Sequence, residues 1–255
     1  MRDLYIKTKN GDMYYEKHLD SDDSLSIIFL HGWGQSHNTF DYVIEKIKES
    51  GIKYNIYNVD FLGFGLSDEP NKAIGVDDYS NHLHQLIKEE KIDKVILVGH
   101  SFGGRVAIKY ASSFNVEGIV LVNAAGICHH NFKYYSKLYL YKIKKLMVYV
   151  FNNKNYDSFI RKNGSRDYNM LSYNMRGTFK KVVKEDLKKE MKMIKCKTLV
   201  IGSVFDKEVP LNDSKTMNNL INGSEMKVFY RGGHFSYIDE KEKFLSILLN
   251  FIGDK

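Results

Sequence analysis

Gly99-His100-Ser101-Phe102-Gly103-Gly104 places a serine hydroxyl among glycines, directly after the apolar run Lys94 to Val98 and before a helical pattern that begins near Arg105. A serine held on a sharp, strained strand-to-helix turn needs neighbours without bulk, so that the backbone folds tightly and the hydroxyl stands clear. Such a hydroxyl is a weak nucleophile until a base takes its proton and a third group orients that base. Two loops downstream offer both. Asp206 lies in Gly202-Ser203-Val204-Phe205-Asp206-Lys207-Glu208-Val209-Pro210, and His234 lies in Arg231-Gly232-Gly233-His234-Phe235, each just after an apolar run. In this set neutral His234 takes the Ser101 proton, while Asp206 holds the imidazole tautomer and stabilises its cation. Asp213 is the reserve acid, and no carboxylate stands in Asn123-Ala124-Ala125-Gly126. A third element, His31-Gly32-Trp33-Gly34, follows the run Leu25 to Leu30. The backbone N–H groups of Trp33 and Phe102 are expected to form an oxyanion hole, where loss of one donor typically costs about a hundredfold to a thousandfold in rate.

These loops need a frame that delivers them to one edge. Short runs rich in Ile, Val, Phe and Tyr alternate with segments of helical periodicity, the pattern of a mostly parallel sheet covered by helices, so the fold class is α/β. Eight strands are expected at Leu4 to Thr8, Met13 to His18, Leu25 to His31, Tyr54 to Asp60, Lys94 to His100, Gly118 to Ala124, Thr198 to Ser203 and Met226 to Tyr230. Asn10-Gly11-Asp12 between the first two is a hairpin signal, so the sheet should begin antiparallel. Helices are expected over Phe40 to Ser50, Asp77 to Lys91, Gly103 to Phe114, Asn212 to Ile221 and Lys241 to Ile252. Ligands bind at the carboxyl ends of strands in such sheets, which is where Ser101, Asp206 and His234 fall.

Residues 127–195 break the rhythm and read as a helical insertion, leaving 1–126 and 196–255 as the core domain. Within it Tyr134, Lys137, Leu138, Tyr141 and Lys145, and again Val182, Val183, Leu187, Met191 and Ile194, have helical spacing.

The chain of 255 residues is 43% hydrophobic and 27% charged, the composition of a globular protein and not of a disordered or fibrous one. Its apolar stretches fall short of the roughly 18 residues that a membrane span needs. The charged start at Arg2, Asp3 and Lys7 has no signal-like stretch behind it, so a cytoplasmic location is expected. Cys128 and Cys196 fit neither a disulfide framework nor a zinc site. The net charge of +7 is local: residues 128–195 hold 17 Lys/Arg against 5 Asp/Glu, while the rest holds 21 against 26. That distribution, without a binding motif, argues against nucleic acid.

With HGWG at 31–34, DFLGFGLS at 60–67, GHSFGG at 99–104, Asp206 with Val209-Pro210 and GGHF at 232–235, nearly the whole chain resembles the α/β-hydrolase superfamily, in its small bacterial serine esterase form. The resemblance implies an eight-stranded sheet, a structural turn at Asp60 to Ser67, and a lid inserted between the sixth and seventh strands at 127–195. It also implies Ser-His-Asp hydrolysis with neither metal nor organic cofactor. Of the lid's arginines, Arg161, Arg166 and Arg176 suit a carboxylate or phosphate, because the guanidinium fork matches those oxygens. A solvated basic surface is the plainer reading of the Lys excess. Lid aromatics such as Phe132, Tyr134, Tyr135, Tyr139, Tyr149, Phe151 and Tyr168 would be lid core, with a few lining an acyl pocket. His31 and His100 read as backbone braces, and His129-His130 as a solvated pair. His82 and His84 face different ways on a helix and cannot form a metal pair.

Three functions follow, all on a small-molecule ligand. The leading one is cleavage of a small to medium carboxylic ester or thioester through an acyl-enzyme. The second is carbon-carbon bond cleavage or elimination on an oxo-acid with the same triad, to which Arg105 and the basic lid would be suited. The third is a ligand-binding or signalling protein with little turnover.

Overall fold

The computed structural model describes residues 4–18, 25–51, 54–129 and 170–253. Its centre is one sheet of eight strands: β1 Leu4–Thr8, β2 Gly11–Lys17, β3 Leu25–Leu30, β4 Asn55–Val59, β5 Lys94–His100, β6 Gly118–Val122, β7 Lys197–Ser203 and β8 Glu225–Phe229. Their spatial order is β1-β2-β4-β3-β5-β6-β7-β8. β1 pairs antiparallel with β2 and β2 with β4, whereas every pair from β4-β3 to β7-β8 is parallel. The hairpin falls where Asn10-Gly11 marks it: Thr8 opposes Gly11, and Thr8 Oγ1 donates to Gly11 O at 2.7 Å.

Around the sheet lie α1 Asp41–Glu49, α2 Val76–Glu89, α3 Phe102–Ala111, α4 Tyr173–Lys184, α5 Lys188–Met191, α6 Leu211–Leu220, α7 Ser236–Asp239 and α8 Lys241–Gly253, with a 3₁₀ turn at His37–Phe40. Strand side chains alternate between two apolar layers, as the pleat requires. Ile28, Leu30, Leu97, Ile119 and Leu121 pack with Leu83 and Leu86 of α2 and Val106 and Ile108 of α3. Ile27, Phe29, Ile96, Val98, Val120 and Val122 face the other way, onto Val43, Ile44 and Ile47 of α1 and Phe244, Leu248 and Phe251 of α8. A central strand buried on both sides is apolar along most of its length, which is why Ile27 to Leu30 reads as a continuous run.

The structure divides the expected face Val182 to Ile194 into two helices. α4 ends at Lys184, Glu185 is extended, and α5 begins only at Lys188. Val182, Leu187, Met191 and Ile194 remain buried with the sheet's core, but Val183, which follows Val182 on α4 and so points away from that face, is 41% exposed. Ser172 caps α4 by accepting from Met175 N at 3.2 Å. The run Tyr134 to Lys145, His130, Arg161, Arg166 and the aromatics from Phe132 to Tyr168 lie outside the described residues. Among the described residues, no helix is long and apolar enough to cross a membrane.

The stretch Asp60 to Ser67 is a turn knotted on one carboxylate. Asp60 accepts from His37 N at 2.6 Å and Leu66 N at 2.8 Å, and its Oδ2 lies 2.8 Å from His37 Nδ1. Gly65, at φ +57°, passes so close that a Cβ there would fall 2.0 Å from Asp60 Oδ2.

Candidate active site

Ser101 follows the last residue of β5 and precedes the first of α3, in a conformation with φ 51° and ψ −108° that an L-residue adopts only under constraint. The constraint is visible in its backbone. Ser101 N donates to Val122 O at 3.1 Å, and Ser101 O accepts from Gly104 N at 3.1 Å and from Ala125 N at 3.0 Å. The turn is tight enough that a Cβ on Gly103 would fall 2.0 Å from Leu30 O, and one on Gly99 would fall 2.6 Å from Gly103 O.

His234, in the loop after β8, reaches Ser101 Oγ with Nε2 at 3.0 Å and Asp206 Oδ2 with Nδ1 at 2.9 Å. Asp206 follows β7 and its side chain is sealed from solvent. Its second oxygen, Oδ1, accepts from Glu208 N at 2.8 Å and Val209 N at 2.9 Å. Burial alone would raise the Asp206 carboxyl, but the hydrogen bonds from His234, Val209 N and Asn123 outweigh it and hold the group below its usual range. An ionised Asp206 accepts from His234 Nδ1–H, which leaves Nε2 bare toward the serine hydroxyl.

Asn123 completes this arrangement and was not singled out as a functional residue on sequence grounds. Its Nδ2 donates to Asp206 Oδ2 at 2.7 Å and to Ser203 Oγ at 3.0 Å, and its Oδ1 accepts from Ser236 Oγ. Asn123 stands just past β6 at φ 45°, a conformation asparagine tolerates better than most residues. An asparagine at a strand end beside the acid's strand was the signal available.

The Gly32-Trp33-Gly34 loop after β3 is fastened from behind. His31 Nδ1 donates to Gly32 O at 2.7 Å, while its Nε2 accepts from Phe61 N at 3.1 Å. Gly32 N donates to Gln35 Oε1 at 2.9 Å. His100 lies between Gln35 Oε1 and His234 O, each 2.9 Å from a ring nitrogen. Both partners are acceptors, yet burial and the neighbouring His234 push His100 down to about 3, so the ring is neutral and donates to one of them. Burial likewise pushes His31 down to about 4. The N–H groups of Trp33 and Phe102 make no hydrogen bond among the described residues.

Ser101, Phe102, Trp33 and His234 share a cleft of about 590 Å³ walled by Leu171, Phe179, Val182, Val183 and Phe235. Among the described residues, Arg105 and Glu208 are its charged lining residues. Arg176 sits half-buried on α4 and is not among the lining residues. Asp213 pairs instead with His129 Nε2, at 2.8 and 2.9 Å. His82 and His84 each meet a neutral partner, Asn10 Oδ1 at 3.1 Å and Tyr110 OH at 3.2 Å.

A sequence model of the alpha/beta hydrolase fold matches residues 26–145. Together with the eight-stranded sheet, this gives the chain the α/β-hydrolase fold, and its similarity to named hydrolases supports a hydrolase. It is 27% identical to the AB hydrolase superfamily protein YisY of Bacillus subtilis, over 97% of this chain and 98% of that one. It is 23% identical to a 2-hydroxy-6-oxo-2,4-heptadienoate hydrolase of Pseudomonas putida, over 89% of this chain and 88% of the relative. Among solved structures, the esterase EaEST of Exiguobacterium antarcticum superposes with a TM-score of 0.74 at 21% identity, covering 99% of this chain and all of that one.

Proposed function

We propose that the chain is a serine hydrolase that cleaves a small to medium carboxylic ester or thioester through an acyl-enzyme. The observation that carries the reading is the continuous line from Ser101 Oγ through His234 to a sealed, multiply hydrogen-bonded Asp206. His234 Nε2 removes the Ser101 proton as Oγ adds to the scissile carbonyl. The resulting oxyanion takes hydrogen bonds from the free N–H groups of Trp33 and Phe102. Collapse expels the alcohol or thiol, which leaves with the proton held on His234. Water then yields a proton to His234 and attacks the acyl carbon, and collapse returns the proton to Ser101 with release of the acid. Segment 127–195 serves in this reading as a lid, of which α4 already contributes Phe179, Val182 and Val183 to the cleft wall.

Ser101→Ala should lower kcat on 4-nitrophenyl esters by at least about a thousandfold with an unchanged melting temperature. Retained turnover refutes the assignment. Carbon-carbon bond hydrolysis of an oxo-acid is the second reading, favoured by Arg105 in the cleft and by the activity named for the Pseudomonas relative. Turnover of a vinylogous keto-acid with esters left untouched would select it.

A further inference from the structure

Arg105 lies one helical turn beyond Ser101 on α3, is 6% exposed, and lines the same cleft as Ser101 and His234. Its Nη1 donates to Glu185 O at 2.7 Å, and Cys128 is a second polar neighbour of the guanidinium. A guanidinium has five N–H donors, so these two contacts leave most of the fork unused. None of its nitrogens is among the sealed, partnerless side-chain atoms, and the residue lines the open volume of the cleft.

Among the described residues no carboxylate lies within ion-pair distance of Arg105. Its acidic neighbours are engaged elsewhere: Glu185 pairs with Lys109 at 3.4 Å, and Asp186 with Lys188 Nζ at 3.1 Å. Asp186 also accepts from Cys128 N and Lys188 N. Glu208, the carboxylate in the lining, is solvent-exposed, where water screens its charge. A buried cation is costly unless a counter-charge is supplied, and this one lines the space a substrate fills. The surrounding wall of Trp33, Phe179 and Val182 provides no competing anion.

Building on the hydrolase reading, we propose that Arg105 determines specificity by binding a carboxylate on the substrate, so that the preferred substrate is a carboxylate-bearing acyl compound. The planar fork accepts both carboxylate oxygens at once, which fixes the distance and direction from the charge to the scissile carbonyl at Ser101. Arg105 is a binding residue in this scheme and transfers no proton.

The test compares mono-4-nitrophenyl succinate with 4-nitrophenyl butyrate, two esters with the same number of acyl carbons in which a carboxylate replaces a terminal methyl. The wild type should favour the succinate in kcat/KM by about tenfold or more. Arg105→Met should lower the succinate-to-butyrate ratio by about a hundredfold, and Arg105→Lys by less, since it keeps charge without the fork. Loss of folded protein or of serine reactivity cancels in that ratio. Should Arg105→Met fail to accumulate, the wild-type ratio and Arg105→Lys decide. A wild-type ratio at or below one, or a ratio unaltered by substitution, overturns the inference. A Ser101 that reacts with a fluorophosphonate in a protein indifferent to the carboxylate refutes this inference alone. No turnover of either ester and no phosphonate adduct refutes the hydrolase reading beneath it.

Discussion

Buried histidines do different work in this molecule according to what their second nitrogen meets. His234 has a carboxylate on one side and a hydroxyl on the other, whereas His31 and His100 tie backbone loops beside it. His82 meets Asn10 with Nε2 and nothing with Nδ1. Burial pushes it down to about 4 from 6.5. The unfolded chain therefore binds a proton that the folded one excludes, and stability is lost as pH falls from about 6.5 toward 4. His82 alone should cost about 2 kcal/mol between pH 7 and pH 5, with His31 and His100 adding in the same direction. The urea midpoint should fall across that interval, and less steeply in His82→Gln. An identical slope in the variant would show that His82 is protonated without penalty. Asn123 is the residue whose role sequence could least convey: its value lies in meeting Asp206, Ser203 and Ser236 at once, and all three of these partners are 80 or more positions away.

At the scale of elements, the site depends on how closely α3 approaches β3 and β5. A Cβ at Gly103 would strike backbone atoms, 2.0 Å from Leu30 O and 2.8 Å from His31 O, so α3 would have to retreat from the strand. At Gly51, φ is +76° and a Cβ would meet open space, so alanine there incurs only the backbone term, about 1 to 2 kcal/mol. Gly103→Ala should destabilise by about 3 kcal/mol or more in thermal unfolding and slow ester turnover, whereas Gly51→Ala should leave turnover alone. Equal effects would mean that the elbow is not packed this tightly. Strands and the helices α1, α2, α3, α6 and α8 were legible because each presents one clean period. The division between α4 and α5 was not, since spacing from Val182 to Ile194 carries no mark of the extended Glu185. α7, four residues long, was too short for a period to register.

For the whole molecule, the eight-stranded sheet gathers at one edge the loops after β3, β5, β7 and β8, and so unites residues from positions 33 to 234 in one cleft. The motifs at Ser101, Asp206 and His234 carried enough local signal for their order and placement to be read in sequence. The substrate's charge was harder to read. A surplus of lysine and arginine between 128 and 195 drew most attention to Arg161, Arg166 and Arg176, whereas among the described residues the guanidinium lining the cleft belongs to Arg105, which the sequence reading named only beside the basic lid. Composition counts charged residues without regard to burial, so a single cation enclosed in a cleft does not stand out in it. The central claim is that Ser101 is an activated nucleophile. Intact-mass measurement after treatment with a fluorophosphonate tests it most directly, on the wild type and on Ser101→Ala. One adduct on the wild type and none on the variant is the expected result. No adduct on either, or equal adducts on both, would contradict it and turn attention to a protein that binds its ligand without turning it over.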